Sequence, residues 1–243
     1  MEVILRNKEK FRNVLKNYQP SPESIAFLKD MELVILLGVT AAGRNTLIDE
    51  LVRRGTYTFI LSDTTRPPKL RNGVMEQDGI QYNFRSEEDV LADLEAGKFL
   101  EAELIHDQQV SGISIRELER AEASGKIAID EVDILGTVNI RKVKPDTKFI
   151  FILPPSFEEW QHRWMAREEI TSQEVKNRMQ TAERVLEQAL DGEKFSFVIN
   201  DDVRAAADKL DQIVHGVDAV EDEAAARQLA EELLRKVRKY LAR

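Results

Sequence analysis

The chain has 243 residues, enough for one large domain with a full hydrophobic core. It is 42% hydrophobic and 33% charged, and we recognise neither an apolar run of the ~20 residues that cross a bilayer nor a secretory leader. The absence of cysteine excludes disulfides and thiolate metal sites, and a net charge of −9 argues against a general nucleic-acid-binding surface. We therefore expect a cytoplasmic protein without nucleic-acid or membrane partners.

Two helices are predicted before the first strand. The first lies within residues 1–18, where apolar side chains recur at helical spacing among charged ones: Phe11, Val14, Leu15 and Tyr18. The second begins after a proline-rich break, with Ser21 as its N-cap and Pro22 in its first position. We interpret this region as a helical extension that packs on the body of the protein.

A glycine-rich loop follows the first predicted strand, residues 33–37. Gly38 and Gly43 match two positions of the phosphate-binding pattern G-x-x-x-x-G-K-S/T, in which backbone N–H groups and a helix N-terminus surround phosphate oxygens. Arg44 occupies the lysine position and Asn45 the Ser/Thr position. By itself the loop leaves two interpretations open, a phosphate site and a structural turn between a strand and a helix.

Further strands alternate with helices along the chain. The apolar segments that we expect in the main sheet are 33–37, 57–61, 127–132, 148–153 and 195–199. Between 62 and about 114 the elements are shorter and rich in turns, with strand-like segments at 80–84 and 99–105. The pattern predicts an α/β fold, a doubly wound parallel sheet of about five strands with an inserted small mixed α+β subdomain.

The C-terminal segment is predicted to be one helix, acidic at its start and basic at its end. Its apolar stripe has i, i+4 spacing: Leu229, Leu233, Val237 and Leu241. We favour packing of this helix on its own domain over a dimer contact or a partner-binding helix.

Seven motifs occur in one order and at characteristic spacing: the glycine loop, Ser-x-Thr-Thr-Arg-x-x-Lys, Asp-Gly-x-x-Tyr-x-Phe, Gly-x-Phe-Leu-Glu, Glu-Val-Asp, Ile-Leu-Pro-Pro-Ser and Asn-Asp-Asp. From about Leu33 to Leu210 the chain resembles guanylate kinase. The resemblance implies a P-loop NTPase-type sheet, a nucleotide-monophosphate subdomain, a helical lid and phosphoryl transfer from ATP to GMP. The implied division is an N-terminal extension at 1–30, a kinase-like domain at 31–215 (core 31–61 and 115–215, GMP subdomain 62–114, lid about 160–180) and a C-terminal helix at 216–243.

For the GMP phosphate, the resemblance implies contacts from Arg66, Lys69 and Tyr82. A planar guanidinium matches two phosphate oxygens at once, whereas Lys69 offers a point charge where the family usually has arginine. The segment is about four residues longer than usual, so Arg71 is an alternative to Lys69.

For the guanine base, the resemblance implies two carboxylates and a hydroxyl donor: Glu101, Asp133 and Ser62. The chain departs from the family at Ser111-Gly112-Ile113, which replaces Tyr-Gly-Thr/Ser and removes a phosphate-contacting tyrosine and an O6 donor. One extra residue precedes Gly112, so either Ser111 or Ser114 could take over that donor role. If neither does, an apolar Ile113 near O6 costs ~1–3 kcal/mol of base selectivity.

On the ATP side, the resemblance implies binding by ten residues: Gly38, Ala41, Ala42, Gly43, Arg44, Asn45, Thr46, Arg163, Asn200 and Asp201. The implied catalytic residues are Arg44 and the two lid arginines, Arg167 and Arg178. Magnesium is expected mainly on phosphates and water, near the strand end that carries Glu131 and Asp133, and Asn45 is a candidate protein ligand.

The sequence therefore leaves three functions open. The leading one is ATP-dependent phosphorylation of a nucleoside monophosphate, with GMP or dGMP favoured. The first alternative, motivated by Arg44, Asn45, Ser111 and Ile113, is a catalytically impaired nucleotide-binding or protein-interaction module. The second is a P-loop enzyme that acts on another small phosphate acceptor. Nucleotides are the expected partners, and the sequence leaves a monomer and a homodimer equally open.

Overall fold

The structure is a computed structural model that describes residues 5–71, 73–165, 171–191, 195–217 and 220–242. The described residues form ten helices and eleven strands. The helices are α1 (Lys8–Leu15), α2 (Pro22–Leu28), α3 (Arg44–Arg54), α4 (Glu87–Glu95), α5 (Ile115–Ala123), α6 (Ile134–Val143), α7 (Phe157–Met165), α8 (Ser172–Leu190), α9 (Val203–Val214) and α10 (Val220–Leu241). The strands are β1 (Leu33–Gly38), β2 (Tyr57–Phe59), β3 (Asp63–Thr64), β4 (Leu70–Arg71), β5 (Val74–Met75), β6 (Asn83–Phe84), β7 (Phe99–Ile105), β8 (Gln109–Ser114), β9 (Ile127–Glu131), β10 (Lys148–Leu153) and β11 (Ser196–Ile199).

The main sheet has five strands in the order β11-β10-β1-β9-β2. Strand β10 pairs in parallel with both β1 and β11. The side chains of β1 from Leu33 to Leu37 are buried, as expected for a parallel strand covered on both faces. The predicted α/β fold with a five-stranded, doubly wound sheet is confirmed, although β2, β9 and β11 are each one or two residues shorter than their predicted segments.

A smaller mixed sheet has the order β6-β3-β8-β7. Strand β3 pairs in parallel with β6 and antiparallel with β8, and β7 and β8 form an antiparallel hairpin. Strand β8 was not predicted, because Ser111, Gly112 and Ser114 have low strand propensity. The strand predicted at 80–84 is reduced to Asn83–Phe84.

The segment that the sequence predicts to be longer than usual contains a two-stranded hairpin, β4 and β5. Leu70 pairs with Met75, and Arg71 pairs with Val74. The apolar side chains of Leu70, Val74 and Met75 are all exposed. The additional residues therefore extend the surface of the inserted segment and add nothing to the core.

The chain divides into two compact units. Unit one is formed by the described parts of 1–33, 58–128 and 135–147, and unit two by those of 34–57, 129–134 and 148–243. The predicted subdomain 62–114 lies within unit one, together with α1, α2, α5 and most of α6. The predicted phosphate-binding loop and lid segments belong to unit two.

The N-terminal helices complete the core of unit one. Phe11 of α1 is fully buried in a cluster with residues of α4, β7 and β8, which the sequence pattern alone could not assign: Val90, Leu91, Leu94, Phe99 and Val110. Ser21 caps α2 as predicted, because its hydroxyl accepts a hydrogen bond from the Ser24 N–H at 3.1 Å. The N–H of Ser21 donates to Gly97 O at 2.9 Å, where a side chain at Gly97 would collide with the Ser21 backbone.

In unit two, α10 packs on α8 and on the edge strand β11. Leu233 and Val237 of the predicted stripe are buried, and Arg238 forms ion pairs with Glu183 and Glu187 of α8. The favoured interpretation, packing of this helix on its own domain, agrees with these contacts. Of the helices in the described ranges, none is long and apolar enough to cross a membrane.

Candidate nucleotide-binding site

The loop between β1 and α3 has a backbone that requires glycine at its two signature positions. Gly38 and Gly43 have φ angles of 151° and 94°, and Ala41 adopts φ 64°. A Cβ at Gly38 would lie 2.5 Å from Ile152 O, and one at Gly43 would collide with the side-chain amide of Asn200. The glycines are therefore explained both by backbone conformation and by close approach.

Two side chains of unit two hold the carbonyl groups of this loop. Trp160 Nε1 donates to Thr40 O at 2.7 Å, and Asn200 Nδ2 donates to Ala42 O at 2.9 Å. Trp160 and Asn200 are 1% and 3% exposed. Two carbonyl groups of the loop are therefore held by buried side chains. Asn200, predicted on the adenine side, directs its amide nitrogen to the loop.

The start of α3 presents an N-terminus to solvent. Gly43 is the N-cap and provides no side-chain hydrogen bond. The first-turn N–H groups of a helix lack intrahelical partners, and they carry partial positive charge. Because Asn45 and Thr46 are exposed while Ala41 and Ala42 are buried, the helix start is accessible above a packed loop. This geometry suits a phosphate group.

Arg44, in the lysine position of the loop, forms an ion pair that the sequence did not reveal. Its Nε lies 3.3 Å from Oε2 of Glu131, the last residue of β9. The two side chains are 23% and 29% exposed. The positive charge nearest the start of α3 is thus partly neutralised by a carboxylate of the chain itself.

Arg163 and Asp201 lie near Asn200. Arg163 Nε donates to Glu159 at 2.9 Å, and its Nη1 donates to Asn200 O at 3.1 Å. Asp201 is exposed, and its carboxylate accepts the N–H of Asp202. The structure therefore brings Arg163 and Asp201, which the resemblance assigns to the ATP side, to the segment that supports the loop.

The predicted lid residues are only partly described. The guanidinium of Arg178 in α8 stacks over the ring of Trp164 in α7, with 5.9 Å between Cζ and the ring centroid. Trp164 is 1% exposed, so this contact holds the guanidinium end of the arginine side chain against the core. Arg167 lies outside the described residues.

The part of the chain that the structure describes does not form a metal site by itself. The described residues contain no group of three or more His, Cys, Asp or Glu side chains able to hold an ion. Asn45 and Asp133 are both exposed, and Glu131 is engaged with Arg44. A metal ion at this loop would therefore depend on the phosphates of a nucleotide for most of its ligands.

In unit one, Arg66 is buried in a bidentate ion pair with Glu76, a residue that sequence reasoning missed. Its Nη1 and Nη2 donate to the Glu76 carboxylate at 2.5 and 3.0 Å, and the pair is nearly inaccessible to solvent. The Glu76 hydrogen bond is the main reason that the pKa of Arg66 is raised. The Lys69 N–H donates to the same carboxylate at 2.9 Å. Glu76 therefore fixes both the guanidinium and its loop.

Tyr82 and Phe84 form the other wall around Arg66. The Arg66 Cζ lies 4.8 Å from the ring centroid of Tyr82 and 5.5 Å from that of Phe84. The structure thus brings Arg66 and Tyr82 together, and their contact with a phosphate stays a prediction. Lys69 has an exposed side chain, and the side chain of Arg71 lies outside the described part.

The hydroxyl groups at the β3–β8 pair have mixed environments. Ser111 Oγ lies 2.7 Å from Thr64 Oγ1 and accepts a hydrogen bond from Gln109 at 3.1 Å. Ser114 Oγ is buried and lacks a hydrogen-bond partner within the described structure. Ile113 is 1% exposed and belongs to the core. Ser111 is thus the more accessible candidate donor, and Ser62 is half-buried at the entrance of β3.

Glu101 lies on β7 with only 9% of its surface exposed. It faces Ile113 across the hairpin, and an irregularity in the pairing separates it from Phe99. A carboxylate this deeply buried requires polar partners. The pairing register of β7 with β8 sets the position from which Glu101 reaches them. Asp133 belongs to unit two and is exposed.

A family model for guanylate kinase matches residues 30–217. The chain belongs to the guanylate kinase family. The family predicted from the motifs is therefore confirmed, and the match leaves α1, α2 and α10 outside it.

Similar proteins are named guanylate kinase. Guanylate kinase of Nocardia farcinica is 36% identical over 180 residues, covering 73% of this chain and 90% of that protein. Guanylate kinase of Clostridioides difficile is 33% identical over 189 residues, covering 77% and 89%. Guanylate kinase 1 of Oryza sativa is 31% identical over 192 residues and 78% of this chain, which spans only about half of that relative, 49%.

A solved structure supports the fold. The crystal structure of guanylate kinase from Anaplasma phagocytophilum matches with a TM-score of 0.53 and 22% identity. The match covers 80% of this chain and 90% of that one. The guanylate kinase fold thus extends over most of the chain.

Proposed function

We propose that this chain is an ATP-dependent nucleoside monophosphate kinase that converts GMP or dGMP to the diphosphate. The observation that carries the proposal is the loop at 38–46, where fixed glycine geometry precedes an uncapped helix N-terminus. Backbone N–H groups in this arrangement bind phosphate oxygens. The relatives named guanylate kinase support the choice of acceptor.

ATP would bind to unit two. Its β- and γ-phosphates would lie against the start of α3, with the guanidinium of Arg44 beside them. Arg163 and Asp201 would face the adenosine part, while Asn200 and Trp160 keep the loop rigid. Rigid donors need no reorganisation during the reaction, which is the main source of electrostatic catalysis.

GMP would bind to unit one. Arg66 would bind the phosphate, beside the ring of Tyr82, through the guanidinium N–H groups that its bidentate pair with Glu76 leaves available. Glu101 would accept hydrogen bonds from guanine N1–H and the amino group, and Ser62 or Ser111 would donate to O6. Asp133 of unit two remains the predicted second carboxylate for the base.

In the reaction, a phosphate oxygen of GMP attacks the γ-phosphorus of ATP. The bond from that phosphorus to the β–γ bridging oxygen breaks, which yields GDP and ADP. Little covalent chemistry is required of the protein, so the chain acts by alignment and by neutralising charge on the transferred group. Magnesium bound on the phosphates adds charge neutralisation, and Arg44, Arg167 and Arg178 are the proposed cationic residues.

A second function has its own supporting observation, the ion pair between Arg44 and Glu131. If Arg44 stays with Glu131 when ATP binds, the γ-phosphate loses its nearest cation and the chain acts as a nucleotide-binding module. The loss of a tyrosine at Ser111 would further weaken GMP binding on this alternative.

An assay of ADP release across GMP, dGMP, AMP, CMP and UMP tests the two functions. We expect turnover with GMP and dGMP well above that with the other acceptors. Turnover at background with every acceptor would refute the kinase. Calorimetric titration with GMP and with ATP would then separate a nucleotide-binding module from a protein that binds neither nucleotide.

A further inference from the structure

The hydroxyl of Tyr18 forms hydrogen bonds with backbone groups at an edge of the small sheet. It donates to Phe99 O and accepts from Phe99 N–H, both at 2.8 Å. Strand β7 is an edge strand, and the N–H and C=O of one strand residue point to the same side. Tyr18 therefore pairs with both outward-facing backbone groups of Phe99, which the sheet itself leaves unpaired.

The register of the β7–β8 hairpin changes immediately after Phe99. Phe99 lies opposite Ser114, whereas Glu101 lies opposite Ile113, so Leu100 is an additional residue on β7. Such an irregularity reorients the side chains that follow it, and a slip of one residue would turn Glu101 to the other face of the sheet. The bonds from Tyr18 thus fix the backbone at the point that determines the direction of Glu101.

Tyr18 and Glu101 also share an environment. Both line a cavity of about 420 Å³ that lies entirely within unit one, together with Leu100, Asn139 and Lys142. Burial of the phenol, with the negative charge of Glu101 as a smaller cause, raises the pKa of Tyr18 to about 12. The phenol is therefore a neutral, well-held hydrogen-bonding group beside the carboxylate.

The N-terminal segment is held in place independently of Tyr18. Phe11 is fully buried among residues of α4 and β7, and the Asn7 N–H donates to Glu87 Oε2 at 2.7 Å. Removing the hydroxyl of Tyr18 would therefore leave α1 attached. This independence allows the role of the hydroxyl to be separated from that of the helix.

We propose that Tyr18 is a positioning residue for acceptor selection: its hydroxyl fixes the irregularity in β7 and thereby aims Glu101 at the base. The N-terminal extension, which lies outside the matched family range 30–217, is on this account part of the acceptor site. The inference rests on the proposed GMP kinase function and adds a residue that the family motifs do not include.

The test compares Tyr18→Phe with a matched control. Tyr57→Phe removes another partly buried phenol hydroxyl, which donates to Asp211 Oδ1 at 2.8 Å within unit two. We expect Tyr18→Phe to raise KM for GMP about tenfold and to reduce the preference for GMP over AMP, because loss of both hydrogen bonds to Phe99 loosens the strand that carries the base-reading carboxylate. KM for ATP should stay unchanged, and Tyr57→Phe should leave KM for GMP unchanged.

A double variant separates positioning from general destabilisation. In a Glu101→Gln background, Tyr18→Phe should have little further effect on GMP affinity, because the carboxylate that it orients is already absent. Equal, additive losses in both backgrounds, or an unchanged GMP preference in Tyr18→Phe, would overturn the inference. Failure of the wild-type protein to bind GMP would instead overturn the proposed function, and the inference with it.

Discussion

Arg44 and Glu131 bring a cation of the phosphate-binding loop within 3.3 Å of a carboxylate at the end of β9. Both side chains are about three-quarters buried, so the pair is only partly screened by solvent. Phosphate binding must therefore compete with Glu131 for the guanidinium. This competition leads to the first two predictions.

Replacing Glu131 with glutamine should tighten ATP binding. An ion pair of this exposure contributes about 1 kcal/mol, so ATP affinity should increase by up to about fivefold in a calorimetric titration. Glu50→Gln is the control, since Glu50 pairs with Arg53 and Arg54 on the far end of α3. Weaker ATP binding in Glu131→Gln would show that the carboxylate supports the nucleotide site instead of competing with it.

Restoring the usual loop residues should increase turnover. The double variant Arg44→Lys, Asn45→Ser places a compact ammonium and a hydroxyl where the phosphate pattern has them. If misplacement of the cation limits phosphoryl transfer, kcat with GMP should rise about tenfold or more. Arg53→Lys, an exposed arginine on the same helix, should leave kcat unchanged. An unaltered or lower kcat in the double variant would place the limiting step elsewhere.

Glu76→Gln should destabilise unit one strongly. Removing one partner of a buried ion pair leaves Arg66 as an uncompensated charge, which costs about 3–5 kcal/mol. The free energy of unfolding is measured in a denaturant titration. Calorimetry with GMP should show that the affinity of the variant for GMP also decreases. Glu88→Gln, in an exposed pair with Arg6, is expected to change the unfolding free energy by less than about 0.5 kcal/mol. A similar small change in Glu76→Gln would contradict the assigned role of Glu76.

Asn200→Ala should loosen the phosphate-binding loop. The substitution leaves the buried Ala42 O without its hydrogen bond, at a cost of about 1–3 kcal/mol in stability. ATP affinity should decrease by about tenfold, because the loop loses a preformed conformation. Asn177→Ala, exposed on α8, is the control. If ATP affinity in Asn200→Ala equals that of the control, the loop keeps its conformation without this side chain.

The raised pKa of Tyr18 predicts a change in stability at alkaline pH. The pKa of Tyr18 is about 12 in the folded protein against an ordinary value of 10.0, so the folded state retains the phenol proton more tightly than the unfolded state. The contribution of the protonated phenol to the free energy of unfolding is complete below pH 10 and is lost as the pH rises toward 12. Thermal melts should show that the wild type exceeds Tyr18→Phe in stability at pH 9 and that the difference narrows by pH 11. A difference independent of pH over this range would contradict the assigned burial.

Sequence reasoning succeeded where the determinants are local. Gly38, Gly43 and the start of α3 follow one another in the chain, and their spacing already specifies the turn and the helix. Ser21 and Pro22 likewise specify the start of α2. In these places a few adjacent residues limit the backbone to one conformation, so the pattern was sufficient.

The sequence pattern did not predict the ion pairs between side chains of different structural elements. Glu76 reaches Arg66 through the turn of an unusually long segment, and Glu131 reaches Arg44 from another strand of the sheet. Neither glutamate differs in its local pattern from a solvated acidic residue. Burial of Arg66 requires a counter-charge, but that burial is known only from the structure. The described structure was needed to identify both.

The contact between Tyr18 and Phe99 also has a consequence for how the chain is made. The two residues are 81 positions apart, so at ~5–20 residues per second about 4 to 16 s of synthesis separate them. For most of that interval α1 has been translated, but α4, β7 and β8, which cover Phe11, have not. The apolar side chains of the α1 segment therefore stay unshielded in the nascent chain, and the core of unit one is completed only after α4, β7 and β8 have left the ribosome.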